Sequence, residues 1–186
     1  VQTCALPILF LIIDSIKSHV QRRYRKYIFL QRTRTRHKAV TLLGNVYLNA
    51  SNVKIGRNVT IYPNVYFWGS GEIVIGDNVD LGIGTIIYSR NRVYIGSNTS
   101  VAAYTYIIDS NHGIGKDELI RNQPMDTADN GIYIGSDVWI AAHCTIIKGA
   151  EIQDGAVVGA MSMVNKVIQR GTVNCGIPAK FLKDRI

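Results

Sequence analysis

The residue of this chain best suited to acid–base chemistry is His112, in the segment Asp109-Ser110-Asn111-His112-Gly113. A neutral imidazole near pH 7 can take a proton from a hydroxyl group, which makes His112 the candidate catalytic residue. The chain has 4 histidines. Of the others, His19 and His37 lie in a basic N-terminal region, and His143 lies inside a regular repeat, where we expect it to pack or to face solvent.

Asp109 precedes this histidine by three residues and is the second candidate catalytic residue. A carboxylate can hydrogen-bond an imidazole and fix its tautomer, as acids do for other catalytic histidines. The spacing permits this contact near a turn, but it equally fits an ordinary turn aspartate. The sequence leaves both interpretations open.

The cysteines and the missing phosphate-binding motifs narrow the chemistry further. Cys4, Cys144 and Cys175 form neither a CxxC pair nor an even disulfide framework. This usage is typical of a reducing compartment such as the cytoplasm, and it predicts neither a disulfide nor a metal site. The chain has no Walker or dinucleotide-binding motif, so a phosphate-rich ligand would have to be held in another way.

A six-residue repeat must position these side chains. Aliphatic or aromatic residues recur at every sixth position in four blocks, namely Ile55, Ile61, Phe67; Ile75, Leu81, Ile87; Ile95, Val101, Ile107; and Ile134, Ile140, Ile146, Ile152, Val158, Val164. Small or β-branched residues follow most of them by four positions, for example Val79, Thr85, Thr99, Ala150 and Ala156. Three such hexads form one triangular turn of a parallel β-helix, in which the larger residue points inward and the smaller one fits beside it. The sequence therefore predicts an all-β fold, a parallel β-helix over residues 41–172.

Breaks in the six-residue spacing predict where the prism is irregular. The first three blocks start 20 residues apart, two more than a regular turn of 18, and we expect small corner bulges near Gly69-Ser70-Gly71 and Asn91-Arg92. The step from Ile95 to Ile134 is 39 residues, so one turn holds about 21 extra residues. These predict an excursion at 113–132, directly after His112, and long excursions from a regular scaffold often serve function.

The N-terminal region has two parts. Residues 1–8 resemble a translated sequencing-library adapter, and we expect them to be an artefact that should be left out of fold reasoning. Residues 9–40 form a basic segment whose first part, about Leu9 to Leu30, should be a helix. An apolar stripe at helical spacing supports this, formed by Ile13, Ile16, Val20, Tyr24 and Tyr27.

The charged residues of this region are almost all basic. Residues 17–38 hold nine Lys/Arg, whereas the chain beyond residue 38 has twelve basic and twelve acidic residues, so the net charge of +8 gives no support for nucleic-acid binding by the β-helix. Two interpretations of the basic helix stay open. It caps the open end of the prism, or it caps the prism and also contacts an anionic membrane surface through residues 9–38.

Three C-terminal motifs together give a resemblance to a known family. They are Ile134-Gly135-Ser136-Asp137-Val138-Trp139-Ile140 after the excursion, Ala160-Met161-Ser162-Met163-Val164, and Gly176-Ile177-Pro178-Ala179-Lys180. Over residues 45–186 the chain resembles the hexapeptide-repeat acyltransferases, especially maltose/galactoside and polysaccharide or lipopolysaccharide sugar O-acetyltransferases. The resemblance implies a left-handed β-helix and a short helical tail at 173–186.

The resemblance also implies a reaction. An acetyl group would pass directly from acetyl-CoA to a sugar hydroxyl, with His112 as general base, a backbone N–H near Ala142 steadying the oxyanion, and no metal. The residues implied in holding acetyl-CoA are Trp139, Ala142, Ala160, Asn165, Lys166, Lys180 and Lys183.

The acceptor side departs from the maltose/galactoside pattern. Gly82 stands where that group has an acceptor-binding asparagine, and the group's N-terminal helical domain is missing. Both differences favour a sugar on a nucleotide, a lipid carrier or a growing polysaccharide. The alternatives are N-acetyl transfer to an amino sugar or a xenobiotic, or a non-catalytic scaffold. A γ-type carbonic anhydrase is disfavoured because only His112 and His143 lie in the repeat, whereas its metal needs three histidines.

The assembly implied by the resemblance is a C3 homotrimer with each active site between two subunits. One chain then presents only half of the coenzyme A groove. We expect the 113–132 excursion to reach over the neighbouring subunit and wall the cleft that holds His112.

Overall fold

The residues of the sixfold series form the core of the molecule. In a computed structural model that describes residues 5–33, 35, 37, 39–127 and 129–186, every one of them is buried, and so are the small residues that follow by four positions. The predicted parallel β-helix is confirmed, with about seven turns and one N-terminal helix. Of the adapter-like residues 1–8, residues 1–4 lie outside the described residues, and residues 5–8 belong to the N-terminal helix.

One face of the prism is a sheet of eight strands, all parallel except the last. In sheet order the strands are Val40–Leu42, Val59–Ile61, Asp80–Leu81, Ser100–Val101, Trp139–Ile140, Val157–Val158, Thr172–Cys175 and Lys180–Asp184.

A second sheet covers the other two faces. Its strands are, in sheet order, Met163–Val164, Thr145–Ile146, Tyr106–Ile108, Ile86–Tyr88, Val65–Ile75, Arg92–Ile95, Ile132–Ile134, Glu151–Ile152 and Val167–Ile168, with Val46–Ile55 paired to Val65–Ile75. The two long strands run around a prism edge. The strand Val65–Ile75 contributes to both faces. Its first part, Tyr66–Trp68, pairs with Ile86–Tyr88, and its last part, Glu72–Ile75, pairs with Arg92–Ile95.

Corner residues explain the recurrent Gly, Asn and Asp of the sequence. Asn58, Asn78 and Asn98 have φ values of 55°, 56° and 60°, in the left-handed region that asparagine tolerates best among residues with side chains. Their amides also form a ladder between turns, with Nδ2 to Oδ1 distances of 3.1 Å and 3.0 Å. The same residues therefore turn the chain and tie successive turns together.

The predicted bulges lie at one corner of the prism. The register shifts between Ala50 and Asn52 opposite Gly69 and Glu72, so the extra residues at Ser70-Gly71 leave the ladder. Gly69 has φ +109°, and a Cβ there would come within 1.9 Å of the Ser89 carbonyl oxygen. Only glycine fits this close approach of two turns.

The N-terminal helix, α1 (Ala5–Arg32), is longer than the sequence predicted, and its orientation differs from a simple cap. Phe29 is buried against Phe67, with ring centroids 6.2 Å apart, and Thr33 is buried beside it. The apolar stripe is exposed from Ile13 to Tyr27, so the helix does not cap the prism through these residues. No helix of the described residues is both long and apolar enough to cross a membrane.

The expectation of a helical C-terminal tail is wrong. Residues 172–186 form a hairpin, in which Lys180–Asp184 pairs antiparallel with Thr172–Cys175. The last parallel strand would otherwise leave its backbone groups unpaired, and the returning strand satisfies them. Gly176, with φ +102°, turns the chain, and Arg185 holds the end through an Nη1 to Asp137 Oδ2 contact of 2.7 Å.

Candidate active site

His112 lies on a short hairpin that leaves the prism at the predicted excursion. The strand Ser110–His112 pairs antiparallel with Met125–Thr127, and His112 lies opposite Met125. The side chain of His112 is exposed, and it makes no hydrogen bond or ion pair within the described part of the chain. The imidazole is therefore open to a ligand or to a second subunit.

The distal part of the excursion is held in shape by Gln123. Its Nε2 donates to the carbonyl oxygens of Gly115 and Glu118, both at 2.7 Å, and its Oε1 accepts from the Gly115 N–H at 2.7 Å. A 3-10 helix, Ile120–Asn122, precedes it. All residues from 114 to 122 are exposed, so the excursion does not fold back onto its own prism.

Two contacts fix the root of the excursion to neighbouring turns. The Lys148 ammonium forms an ion pair with Asp126. On the other side, the Asn91 amide donates to the carbonyl oxygen of Asp129 at 2.8 Å. Because both contacts join the hairpin to rigid corners, they limit how far His112 can move from the prism.

Asp109 is fully buried at the start of the excursion, and its contacts differ from those predicted. Oδ2 accepts from the Ser89 hydroxyl and the Asn91 N–H, both at 2.9 Å, and Oδ1 accepts from the Arg90 N–H at 2.8 Å. No hydrogen bond joins Asp109 to His112 in the described residues. The carboxylate is thus occupied by the bulged corner one turn below, which matches the turn-aspartate interpretation.

The residues implied in holding the acyl donor begin on the first sheet. Trp139 is 54% exposed on its outer face. Ala142 and Ala160 lie at the next corner in successive turns, where the Met161 N–H donates to the Ala142 carbonyl oxygen at 2.9 Å. The N–H groups of Ala142 and Ala160 have no hydrogen-bond partner among the described residues. We call residues 141–143 and 159–161 the donor edge.

His143 lies on the donor edge but is already engaged by a neighbour. Its ring stacks on Tyr104 of the preceding turn, with centroids 5.1 Å apart and planes 19° apart. Its φ is 59°, like that of Tyr104 at 58°. The expectation that His143 packs or faces solvent is confirmed, since the exposed imidazole covers the tyrosine.

Asn165 and Lys166 lie at a different corner from Ala142 and Ala160. They connect the strand Met163–Val164 to the strand Val167–Ile168. The excursion makes the same connection two turns earlier, from Tyr106–Ile108 to Ile132–Ile134, so this corner is separated from the donor edge by one face of the prism. We call residues 89–91, 109–131, 147–149 and 165–166 the histidine edge. Lys166 is exposed and makes no ion pair within the described residues, so its charge is available to an anion.

Lys180 and Lys183 belong to the C-terminal hairpin on the first sheet. Lys180 pairs with Cys175 and Lys183 with Val173, and both side chains are exposed. The structure therefore does not bring the predicted site residues together in one chain. Trp139, the donor edge and the hairpin lysines form one group, and His112 lies with Asn165 and Lys166 in another.

The distance between the two edges decides what one chain can do. Ala142 and Lys148 are six residues apart along a face, which corresponds to at most about 20 Å at the rise of an extended strand. A general base must lie within about 3 Å of the proton it takes, or one water molecule further. A donor held at the donor edge of one chain therefore lies a whole prism face away from the histidine edge of the same chain.

The buried cysteine is not suited to covalent catalysis. Burial raises the pKa of the Cys144 thiol above its ordinary value. The thiol also donates to the Gly159 carbonyl oxygen at 3.2 Å. The thiolate is the nucleophilic form of cysteine, and a raised pKa disfavours it. Cys144 is therefore a structural residue of the core.

Lys148 is a residue of the histidine edge that sequence reasoning missed. It follows Ile146 by two positions, as Asp109 follows Ile107 and Lys166 follows Val164. The hexad register alone could have placed all three at one edge. Its ion pair with Asp126 could not have been predicted, because the path of the excursion is not periodic.

Comparisons with known proteins agree with the resemblance. Residues 131–166 match the family model described as bacterial transferase hexapeptide (six repeats). The putative lipopolysaccharide biosynthesis O-acetyl transferase WbbJ of Escherichia coli (strain K12) is 35% identical over 89 residues, 45% of this chain and 45% of WbbJ. The galactoside O-acetyltransferase of the same organism is 32% identical over 130 residues, 70% of this chain and 63% of that protein.

A solved structure shows the same fold. It is a mutant of AntD, an N-acyltransferase from Bacillus cereus, in complex with dTDP-4-amino-4,6-dideoxyglucose and coenzyme A. The TM-score is 0.66 at 21% identity, covering 80% of this chain and 86% of AntD. The chain spans about half the length of the first curated relatives it matches.

Proposed function

We propose that this chain, whose residues 131–166 match the hexapeptide transferases, is an acetyl-CoA-dependent acetyltransferase acting on a carbohydrate. The observation that supports this most is His112, which lies unpaired on a hairpin held to the prism by Lys148 and Asn91. Coenzyme A in the AntD complex supports an acyl-CoA donor. Together with the unpaired cysteines, this donor favours the cytoplasm as the place of reaction.

The proposed reaction is a direct transfer. The His112 imidazole takes the proton of the acceptor hydroxyl, and the oxygen attacks the thioester carbonyl carbon. The carbon–sulfur bond then breaks, and the coenzyme A thiolate takes the proton from the imidazolium. An unpaired N–H of Ala142 or Ala160 hydrogen-bonds the oxyanion that forms. No protein nucleophile is needed, because the thioester is already activated.

The distance between the two edges supports a homotrimer. In C3 symmetry two unlike surfaces meet three times, so the histidine edge of one subunit can face the donor edge of the next. The exposed excursion fits this arrangement, because its apolar side chains Ile114, Leu119 and Ile120 have no packing partner on their own prism. Lys166, Lys180 and Lys183 would then meet the phosphates of coenzyme A as flexible point charges.

The acceptor is proposed to be a sugar hydroxyl on a nucleotide, a lipid carrier or a growing polysaccharide. The named relatives WbbJ and galactoside O-acetyltransferase support O-transfer. N-transfer to an amino sugar is the second candidate, because AntD is an N-acyltransferase that binds an amino-sugar nucleotide. A screen of sugars and amino sugars with acetyl-CoA, read as free thiol release, distinguishes them. If none of these acceptors gives thiol release, the proposed activity is contradicted.

Coenzyme A should stabilise the protein. A ligand at 100 times its Kd adds about 2.7 kcal/mol to the free energy of unfolding. For a chain of this size we expect Tm to rise by about 5–10 °C in a thermal-shift assay. A triple variant, Lys166→Ala with Lys180→Ala and Lys183→Ala, should need a higher concentration of coenzyme A for the same rise in Tm. Lys54→Ala, at the other end of the prism, should not. An unchanged Tm at saturating coenzyme A would favour the scaffold alternative.

A further inference from the structure

The apolar stripe of α1 faces away from the prism. At 100° per residue, Ile13, Ile16, Val20, Tyr24 and Tyr27 occupy a sector of about 80°. Phe29, the buried anchor of the helix, lies about 180° from Val20. All five stripe residues are between 52% and 65% exposed. An amphipathic helix that folds onto its own domain would show the reverse orientation.

The side of the helix that faces the prism is basic. His19, Arg22, Arg23 and Lys26 face the strand Val40–Leu42 across an open groove of about 550 Å³. The helix therefore rests on the first turn through Phe29 and Leu30. On the other side of Phe29, a groove of about 320 Å³ separates Tyr24 and Ile28 from Leu42 and residues 46–48, so Tyr24 lies at the border between the stripe and the prism. Its apolar surface is presented outward, flanked by Lys17 and Arg23.

Charge at this end of the molecule has a single sign. No Asp or Glu occurs from residue 15 to residue 71, whereas residues 17–57 contain eleven Lys/Arg. Only beyond Glu72 do acidic and basic residues alternate. An apolar stripe with basic flanks matches a helix that lies in the interface of a membrane, with its apolar face among the acyl chains and its cations at anionic headgroups.

We propose that α1 docks the enzyme on an anionic lipid surface through the stripe Ile13–Tyr27. Tyr24 and Tyr27 suit such a position, because tyrosine is enriched at the membrane–water boundary. A second copy fits less well, since two such helices face to face would bring their arginines together. This proposal goes beyond the proposed acetyl transfer and does not depend on it.

Docking by α1 would determine how far the active site lies from the membrane surface. The first sheet adds one strand per turn from Val40–Leu42, beside the helix, to Ser100–Val101, in the turn that leads to His112. Three steps of strand spacing amount to about 14 Å. An acceptor attached to a membrane lipid would therefore be presented near the histidine edge.

Vesicle co-sedimentation of the full chain tests the docking. We expect binding to vesicles of phosphatidylcholine with one third phosphatidylglycerol, weakening with added salt, and little binding to phosphatidylcholine alone. The combined variant Ile16→Ser, Val20→Ser and Tyr24→Ser should bind at least tenfold more weakly. Lys17→Gln and Arg23→Gln together, at the flanks of the stripe, should weaken binding about 25-fold, since each cation near the surface contributes about fivefold.

Controls separate docking from folding and from charge in general. Lys116→Gln and Arg121→Gln together remove the same charge far from α1 and should leave vesicle binding unchanged. The stripe variants should keep the Tm and the coenzyme A shift of the parent, and Val20→Asp alone serves if the triple variant misfolds. Equal binding to neutral vesicles, or full binding by the stripe variants, would overturn the proposal. So would a stripe-dependent oligomer that ignores vesicles, because a second copy would then cover the stripe.

Discussion

Replacing His112 by alanine should lower kcat by about 10²–10⁴-fold while coenzyme A still raises the Tm. The range is that of a lost general base, and the imidazole has no hydrogen-bond or ion-pair partner among the described residues whose loss would disturb the fold. Thiol release at saturating acetyl-CoA and acceptor measures kcat, and the thermal shift measures donor binding in the same preparation.

His143→Asn is the matched control for that result. His143 stacks on Tyr104 at the donor edge, and asparagine tolerates its φ of 59°. We expect kcat to change by less than about tenfold, because no step is routed through this imidazole. Near-normal kcat in His112→Ala, or an equal loss in both variants, would remove His112 from its role as base.

Asp109→Ala should destabilise the protein more than any exposed aspartate does. The substitution leaves the N–H groups of Arg90 and Asn91 and the Ser89 hydroxyl without their buried partner. Removing one side of a buried charged network costs about 3–5 kcal/mol, which corresponds to a fall in Tm of about 10 °C here. Chemical and thermal unfolding measure it.

Two comparisons distinguish this structural role from a catalytic one. Asp80→Ala, at an exposed position, should change the free energy of unfolding by less than about 0.5 kcal/mol. Asp109→Asn keeps the shape of the side chain and should lose less stability than Asp109→Ala. If Asp109→Ala kept its Tm and lost kcat alone, the carboxylate would act on His112 and the turn-aspartate assignment would be wrong.

The core could be predicted from the sequence because its cause is local and periodic. A residue such as Ile140 must stack on Val101 below and Val158 above, and each pairing repeats the same register. The same register correctly located the corner bulges, because an extra residue cannot stay in a triangular turn without leaving the ladder. Periodicity of this kind is readable from a single chain.

The predictions that were wrong concern contacts between distant parts of the chain, which the six-residue repeat does not determine. The stripe of α1 indicated which residues share a face, but not that Phe29, Leu30 and Thr33 would anchor the helix. The tail was expected to be helical from a resemblance, whereas the unpaired edge of Thr172–Cys175 determined a strand. The contacts of Asp109 followed from the bulged corner one turn below, which the spacing to His112 does not encode.

The candidate site was half predictable for the same reason. Hexad register places Lys166 with the excursion and Ala142 with Ala160, so the members of each edge follow from the sequence. Which two edges cooperate is a property of the assembly. The sequence suggests it only through family resemblance, and the separation of the two edges by a whole prism face supports it physically.

Mixed trimers test the central claim, an active site shared between subunits, most directly. One subunit has His112→Ala, and the other has Ala160→Trp, which fills the exposed donor edge without disturbing the core. Each variant alone should form inactive trimers. Random mixing in C3 symmetry restores one intact site in every mixed trimer, so co-expression should return about a quarter of the parent thiol-release rate. No recovery, in trimers shown by mass spectrometry to contain both variants, would contradict the shared site.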